Sequence, residues 1–295
     1  MKTHQKTLDI SSKSYPYLLN HIFNPPKKLY YEGDLSILEK TCLSIVGTRD
    51  YSDYGKYMTE KIIEELSPLN ITIVSGLAKG IDAIAHKQAL KRNLSTVAVL
   101  GSGLNKIYPT QNIPLAKQIE RKGLLISEYP PDTPPLNFHF PQRNRIISGL
   151  SIATIVIESP EKSGTLITAR LALEQGRDIF VVTGDADRPN SLGTLRLLQN
   201  GGAYPIASGK DIIDALTKQP HLFNPDPAQK TTTIPLNLTP QQQKIFSALS
   251  RTRPHSLDTI QSKTSLTTQD LLINLSHLEI QNLIKTKDGK YIRRC

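Results

Sequence analysis

Between residues 42 and 216, short and almost purely apolar runs alternate with stretches of helical period, and this alternation restricts the fold more than any other feature. The runs at 42–46, 71–74, 96–100, 124–127, 153–157 and 179–182 contain few polar breaks. Strands covered on both faces have this composition, whereas a half-exposed strand alternates apolar with polar residues. Helical patterning occupies 54–66, 81–91, 163–175 and 192–199. Repeated strand–helix alternation predicts an α/β fold, a doubly wound parallel sheet with right-handed crossovers. Ligands on such sheets bind beyond the carboxyl ends of the strands.

After Leu216 the character changes. Pro220, Pro225, Pro227 and Pro235, with Thr231, Thr232 and Thr233 among them, predict a linker over 217–238. Thr239-Pro240 then reads as an N-cap followed by proline at the first helical position, and Ser256 as the cap of a second helix. Leu271, Leu275 and Leu278 mark a third helix, and Asp288-Gly289 the turn of a hairpin. Three helices and a hairpin over 239–295 predict a small winged-helix domain. Residues 1–40 form a lead-in to the sheet domain at 41–216.

The net charge of +10 points to a polyanionic partner. More than half of that excess lies in the tail, where ten Lys and Arg stand against four Asp and Glu from Ala228 onward. The third tail helix nevertheless has no Lys or Arg, which suits a helix reading a major groove poorly. Protein contact and DNA contact are equally open for this unit. Cys42 and Cys295 are the only cysteines, so no disulfide framework or metal site is expected. With no apolar leader and no run long enough to span a bilayer, the chain reads as cytoplasmic.

The chemistry concentrates at the strand ends. Phe138 to Leu150 brings two phenylalanines, Arg143, Asn144 and Arg145 together, a composition suited to stacking bases and pairing phosphates without reading base edges. Gly47-Thr48-Arg49 follows the first sheet strand and offers a close backbone approach beside a guanidinium. Lys162-Ser163-Gly164-Thr165 opens a helix, where free N–H groups hold anions. Gly76 to Asp82, containing Lys79, and Gly101 to Lys106 are two further glycine-rich turns. Lys106 replaces the third glycine of a dinucleotide fingerprint, and no phosphate-binding Gly-x-x-x-x-Gly-Lys-Ser/Thr loop occurs, so no cofactor is expected. Glu128 and Glu158 both close strands and could approach each other as an acid–base pair. More often such glutamates orient amides or arginines. His86 reads as a packed or surface histidine, and His139 as part of the binding surface.

Four blocks occur in one order: Ile45-Val46-Gly47-Thr48-Arg49, Val74 to Asp82, Phe140 to Leu150 with Pro141-Gln142-Arg143-Asn144-Arg145, and Ser163-Gly164-Thr165-Leu166-Ile167-Thr168-Ala169. Together they closely resemble the bacterial DNA-processing protein A family, DprA/Smf, from about Tyr15 to Leu216. The resemblance implies an extended Rossmann-like domain that binds single-stranded DNA, forms a homodimer and loads the RecA recombinase during natural transformation, with no catalytic role. It implies phosphate contacts for Arg49, Arg143 and Arg145, an anion-binding helix start at Ser163, Gly164, Thr165, Thr168 and Ala169, and base stacking for Phe140. Gly47, Thr48, Lys79, Asn144 and Lys162 complete the expected DNA-binding set. Many members carry a helical sterile-alpha-motif-like domain before the Tyr-Pro block, and residues 1–14 are too few for one. A nucleotide phosphoribohydrolase on a related fold is the alternative, although Pro160 to Thr165 lacks that motif's double glycine. A DNA binder acting through the tail is a third reading.

Overall fold

The computed structural model describes residues 6–217, 238–249, 255–281, 283–287 and 289–293. Apart from its end residues, the expected proline-rich linker lies outside them, as do Asp288 and the tail arginines 251, 253 and 294. Two compact units are present, Met1–Ala228 and Gln229–Cys295.

The first unit is built on nine strands in the order β1-β2-β6-β5-β4-β3-β7-β8-β9. The central strands are β3 (Thr41–Val46), β4 (Ile71–Ser75), β5 (Ser95–Leu100), β6 (Leu124–Ser127), β7 (Ala153–Val156) and β8 (Asp178–Val182). These six pair in parallel with one another, as does β9 (Tyr204–Ile206) with β8. The lead-in supplies two antiparallel strands, β1 (Lys6–Asp9) and β2 (Lys28–Gly33), with the short helix α1 (Tyr17–Asn20) between them. This antiparallel edge is more than the sequence pattern indicates.

Helices cover both faces. Alternate residues of one strand serve opposite layers: Leu43 and Ile45 pack with α2 (Asp53–Leu66), α3 (Ile81–Lys91) and α8 (Gly209–Thr217). Cys42 and Val46 pack with the lead-in and with α5 (His139–Gly149) and α6 (Gly164–Glu174). Both sets are apolar because neither face meets water, which is why the runs read as continuous. Helix α4 (Ile113–Lys122) covers β5 and β6, and α7 (Pro189–Gln199) lies beside β8.

Strands β3 to β6 step outward in one direction, and β7 then returns to the other side of β3. The strand order therefore reverses between β3 and β7, and a crevice at their carboxyl ends is the expected ligand position.

In the second unit α9 (Pro240–Ala248) starts with a capping box between Thr239 and Gln242, and α10 (Leu257–Thr264) is capped by Ser256. Helix α11 (Thr268–Ile280) buries Leu271, Leu275 and Leu278, and β10 (Ile284–Lys287) pairs antiparallel with β11 (Lys290–Arg293). This is the expected three helices and wing.

Candidate nucleic-acid interface

Loops from β3, β4 and β7 are tied together before any ligand is considered. The Thr48 amide donates to the Glu158 carbonyl at 2.8 Å, and the Ile81 amide to the Thr48 carbonyl at 3.2 Å. Gly80, at φ +81°, is the close approach: a Cβ there would stand 2.4 Å from the Thr48 carbonyl oxygen. That contact holds the Gly76–Gly80 loop against Gly47–Arg49.

Helix α5 crosses above these loops, and its residues part according to helical geometry. Arg143 and Arg145 are two residues apart, about 200° around a helix, so they cannot serve one surface. Arg143 turns inward and is buried. Its Nη1 donates to the carbonyls of Gly76, at 2.6 Å, and Val99. Arg145 turns toward the lead-in, pairing with Glu128 at 2.6 Å and donating to the Asn24 carbonyl at 3.1 Å. Arg145, expected at a phosphate, here fastens the lead-in to α5 and does not line the cleft described below.

The strand-end glycines also take a different meaning. Gly76 and Gly101 admit protein side chains rather than a ligand. A Cβ on Gly76 would meet the Arg143 guanidinium at 2.3 Å, and one on Gly101 the Phe140 ring at 2.8 Å. Gly103 is closed off by the Pro130 and Pro131 carbonyls, so the partial dinucleotide motif has no room for a pyrophosphate.

What remains open is a cleft of about 520 Å³ at the carboxyl ends of β3, β4 and β7, between α5 and the start of α6. One wall carries Gly47, Thr48 and Arg49; another carries Phe140, Arg143 and Asn144. The α6 start closes it with Lys162, Ser163, Gly164 and Thr165, and Thr168 lies deeper. Ser163 caps the helix, its Oγ accepting from the Thr165 amide at 3.1 Å. Gly164, the first helical residue, has an amide with no intrahelical acceptor to reach. It is exposed, and a Cβ on it would meet nothing within 4 Å, so an anion can approach freely. Ala169 is fully buried in the core and does not line the cleft. Lys79 lines a smaller adjoining pocket together with Arg49.

The charges here are unequal in kind. Arg49, Lys79 and Lys162 are exposed and form no ion pair among the described residues. Arg143 is a buried cation. Burial lowers its pKa to about 10, Asp82 opposes that fall and Arg49 adds to it. Burial raises the Asp82 carboxyl, and Arg143 and the amides of Gly76 and Ala78 oppose the rise.

The two glutamates do not form a catalytic pair. Glu158 is buried and accepts from the Ser52 amide at 3.0 Å and from the Ser52 hydroxyl, fixing the start of α2, while Glu128 is spent on Arg145. Among the described residues no group of three His, Cys, Asp or Glu could hold a metal ion. His139 is buried and stacks on Tyr129 with ring centroids 3.9 Å apart, and so does not form part of the open surface.

His86 is fully buried, with Nδ1 2.7 Å from the Thr96 hydroxyl and Nε2 without a partner. Burial first, and Arg143 second, push it down to about 3 from 6.5. The unfolded chain takes this proton below pH 6.5 and the folded chain does not until about 3. The stabilisation is complete above 6.5 and is lost as pH falls, at about 1.4 kcal/mol per pH unit. Asp82 acts in the opposite sense over its own range, since its folded-state proton is held more tightly. His86→Gln is therefore expected to flatten the decline in urea-unfolding stability between pH 6 and 4, read as the difference from the wild type.

Known proteins match the chain along most of its length. Residues 6–217 match the model of the family DNA recombination-mediator protein A, and residues 227–290 match the DprA winged helix domain. The chain belongs to the DNA recombination-mediator protein A family. It is 44% identical over 214 residues to DNA processing protein DprA of Bacillus subtilis, covering 72% of each chain. It is 36% identical to Protein Smf of Escherichia coli over 96% of this chain and 75% of that one. The X-ray structure of DNA processing protein A from Streptococcus pneumoniae superposes with a TM-score of 0.70 at 41% identity, covering 72% of this chain and 74% of that one. A Helicobacter pylori DNA processing protein A, whose single-stranded DNA binding mode has been described, superposes at 0.67 with 33% identity, over 74% of this chain and 98% of that one. Both family blocks thus follow the two compact units. No helix among the described residues is long and apolar enough to cross a membrane.

Proposed function

We propose that this chain binds single-stranded DNA in the cleft at the β3 and β7 ends, with little sequence preference and without catalysing a reaction. The observation that carries this reading is the convergence of the open α6 start at Gly164 with Arg49, Lys162 and the Phe140 ring in one cleft. Helix-start amides and cations take phosphates of any sequence, and an aromatic face takes any base. Duplex DNA holds its bases stacked and paired, so the aromatic wall gains nothing from it. Similarity to the Helicobacter pylori protein supports the ligand.

Within that reading, the protein protects incoming strands as a homodimer in the cytoplasm and loads them onto RecA recombinase during natural transformation. The phosphoribohydrolase alternative has little support, because Glu158 is already spent on Ser52. Fluorescence anisotropy on matched single-stranded and duplex oligomers tests the binding claim. Single strands are expected to bind at least tenfold more tightly, with oligomers of mixed sequence close to one another. Equal binding of both forms would end the reading. RecA filament assembly on strands coated with single-strand-binding protein, with and without this chain, tests the loading step.

A further inference from the structure

The lead-in packs against the face of α5 that the cleft does not use. Phe140, Arg143, Asn144 and Ile147 line the cleft, whereas Arg145 and Gly149 lie on the opposite side of the helix and meet the lead-in. Leu19 and Ile22 are buried there, so close that a Cβ on Gly149 would stand 3.0 Å from each. The Tyr15 hydroxyl donates to the Pro26 carbonyl at 2.7 Å and closes residues 15–26 into a loop. Two arginines brace that loop, Arg145 donating to the Asn24 carbonyl at 3.1 Å and Arg177 to the Leu18 carbonyl at 3.0 Å.

The outward residues of this braced loop are aromatic. Phe23 is 95% exposed and Tyr17 73%. His21 stands one helical turn from Tyr17, with ring centroids 4.1 Å apart and planes inclined at 36°. Large rings held in water by a fixed backbone mark a contact surface. Lys13 and Lys27 flank them, both exposed and without an ion pair among the described residues. No Asp or Glu occurs between residues 10 and 31. Open ring faces set among cations, with no carboxylate beside them, complement a polyanion whose bases are free to stack. We infer that the lead-in is a second single-strand contact, stacking bases on Phe23 and Tyr17 and pairing phosphates with Lys13 and Lys27. The inference rests on the single-strand reading of the cleft and gives a strand longer than the cleft a further place to bind.

The test titrates the full chain with fluorescent oligothymidylates of about six and about twenty-four nucleotides, one near the low end of single-strand site sizes and one well past them. Wild type is expected to bind the longer probe more tightly. The double variant Tyr17→Ala, Phe23→Ala should lose roughly 5- to 100-fold on the longer probe, the range for one stacked base, and nothing on the shorter. It should melt with the wild type, because both rings are exposed. Arg49→Ala should weaken both probes. Ultraviolet crosslinking of wild type to the longer probe should place a thymidylate adduct within residues 14–27, the tryptic peptide ending at Lys27, and the double variant should lose it. Unchanged affinity of the double variant for the longer probe, equal loss on both probes, or adducts confined to other peptides overturns the second contact and leaves the cleft standing. A wild type that binds neither probe overturns the cleft reading itself, and this inference with it.

Discussion

Arg49→Ala is expected to lower the affinity for single-stranded DNA roughly ten- to hundredfold, and Arg49→Glu by more, with the melting temperature unchanged. A hydrogen bond to a charged group contributes about 1.5–3 kcal/mol, which sets the lower range. Glutamate adds repulsion toward the phosphate at the Gly164 amide. The fold should not register either change. Arg49 is exposed and holds no ion pair among the described residues, so its guanidinium is free for a ligand. Anisotropy titration paired with a thermal melt separates the two readouts. A large loss of melting temperature for Arg49→Ala would show that the residue is structural.

Arg143→Leu is expected to behave in the opposite way, destabilising the protein by about 3–5 kcal/mol and losing DNA binding as a consequence. This arginine is buried at the meeting point of β4, β5 and α5. Its removal strands the Gly76 and Val99 carbonyls and leaves the buried Asp82 carboxylate without its main positive neighbour. Gly76→Ala should produce a related defect from the other side, since the new methyl would occupy guanidinium space. Urea unfolding measures both. If Arg143→Leu unfolded at the wild-type midpoint, the arginine would not be the internal brace described above.

The contrast between these arginines shows what the chain discloses before it is folded. The strands were legible because both faces of the sheet are buried, which makes Leu43 and Ile45 as apolar as Cys42 and Val46. The capped start of α6 was legible from Ser163 and Gly164, since capping and open N–H groups are local properties. Helix α5 was not: its inward face carries Arg143 and Asn144, so no apolar stripe announces it, and Arg143 and Arg145 look equivalent in a list of residues. Gly76 and Gly101 looked like ligand turns because their occupants, Arg143 and Phe140, come from a helix dozens of residues later. Tyr108, which also lines the cleft, is a single aromatic in a loop whose partner ring, Phe140, lies on that same distant helix. Long-range packing decided each of these, and sequence periodicity carries no trace of it.

The tail follows the same division. Its caps and core leucines were readable, and α11 exposes Leu272, Ile273 and Ile280 with no Lys or Arg along its length. The central claim is therefore that the first unit, not the charged tail, supplies the phosphate contacts. The most direct measurement is the salt dependence of single-strand affinity for the full chain and for the triple variant Arg49→Ala, Lys79→Ala, Lys162→Ala. Each lost contact to a single strand removes about 0.7 from the slope of log affinity against log salt, so the triple variant should lose about 2. A triple variant with the wild-type slope and affinity would place the DNA elsewhere and contradict the account.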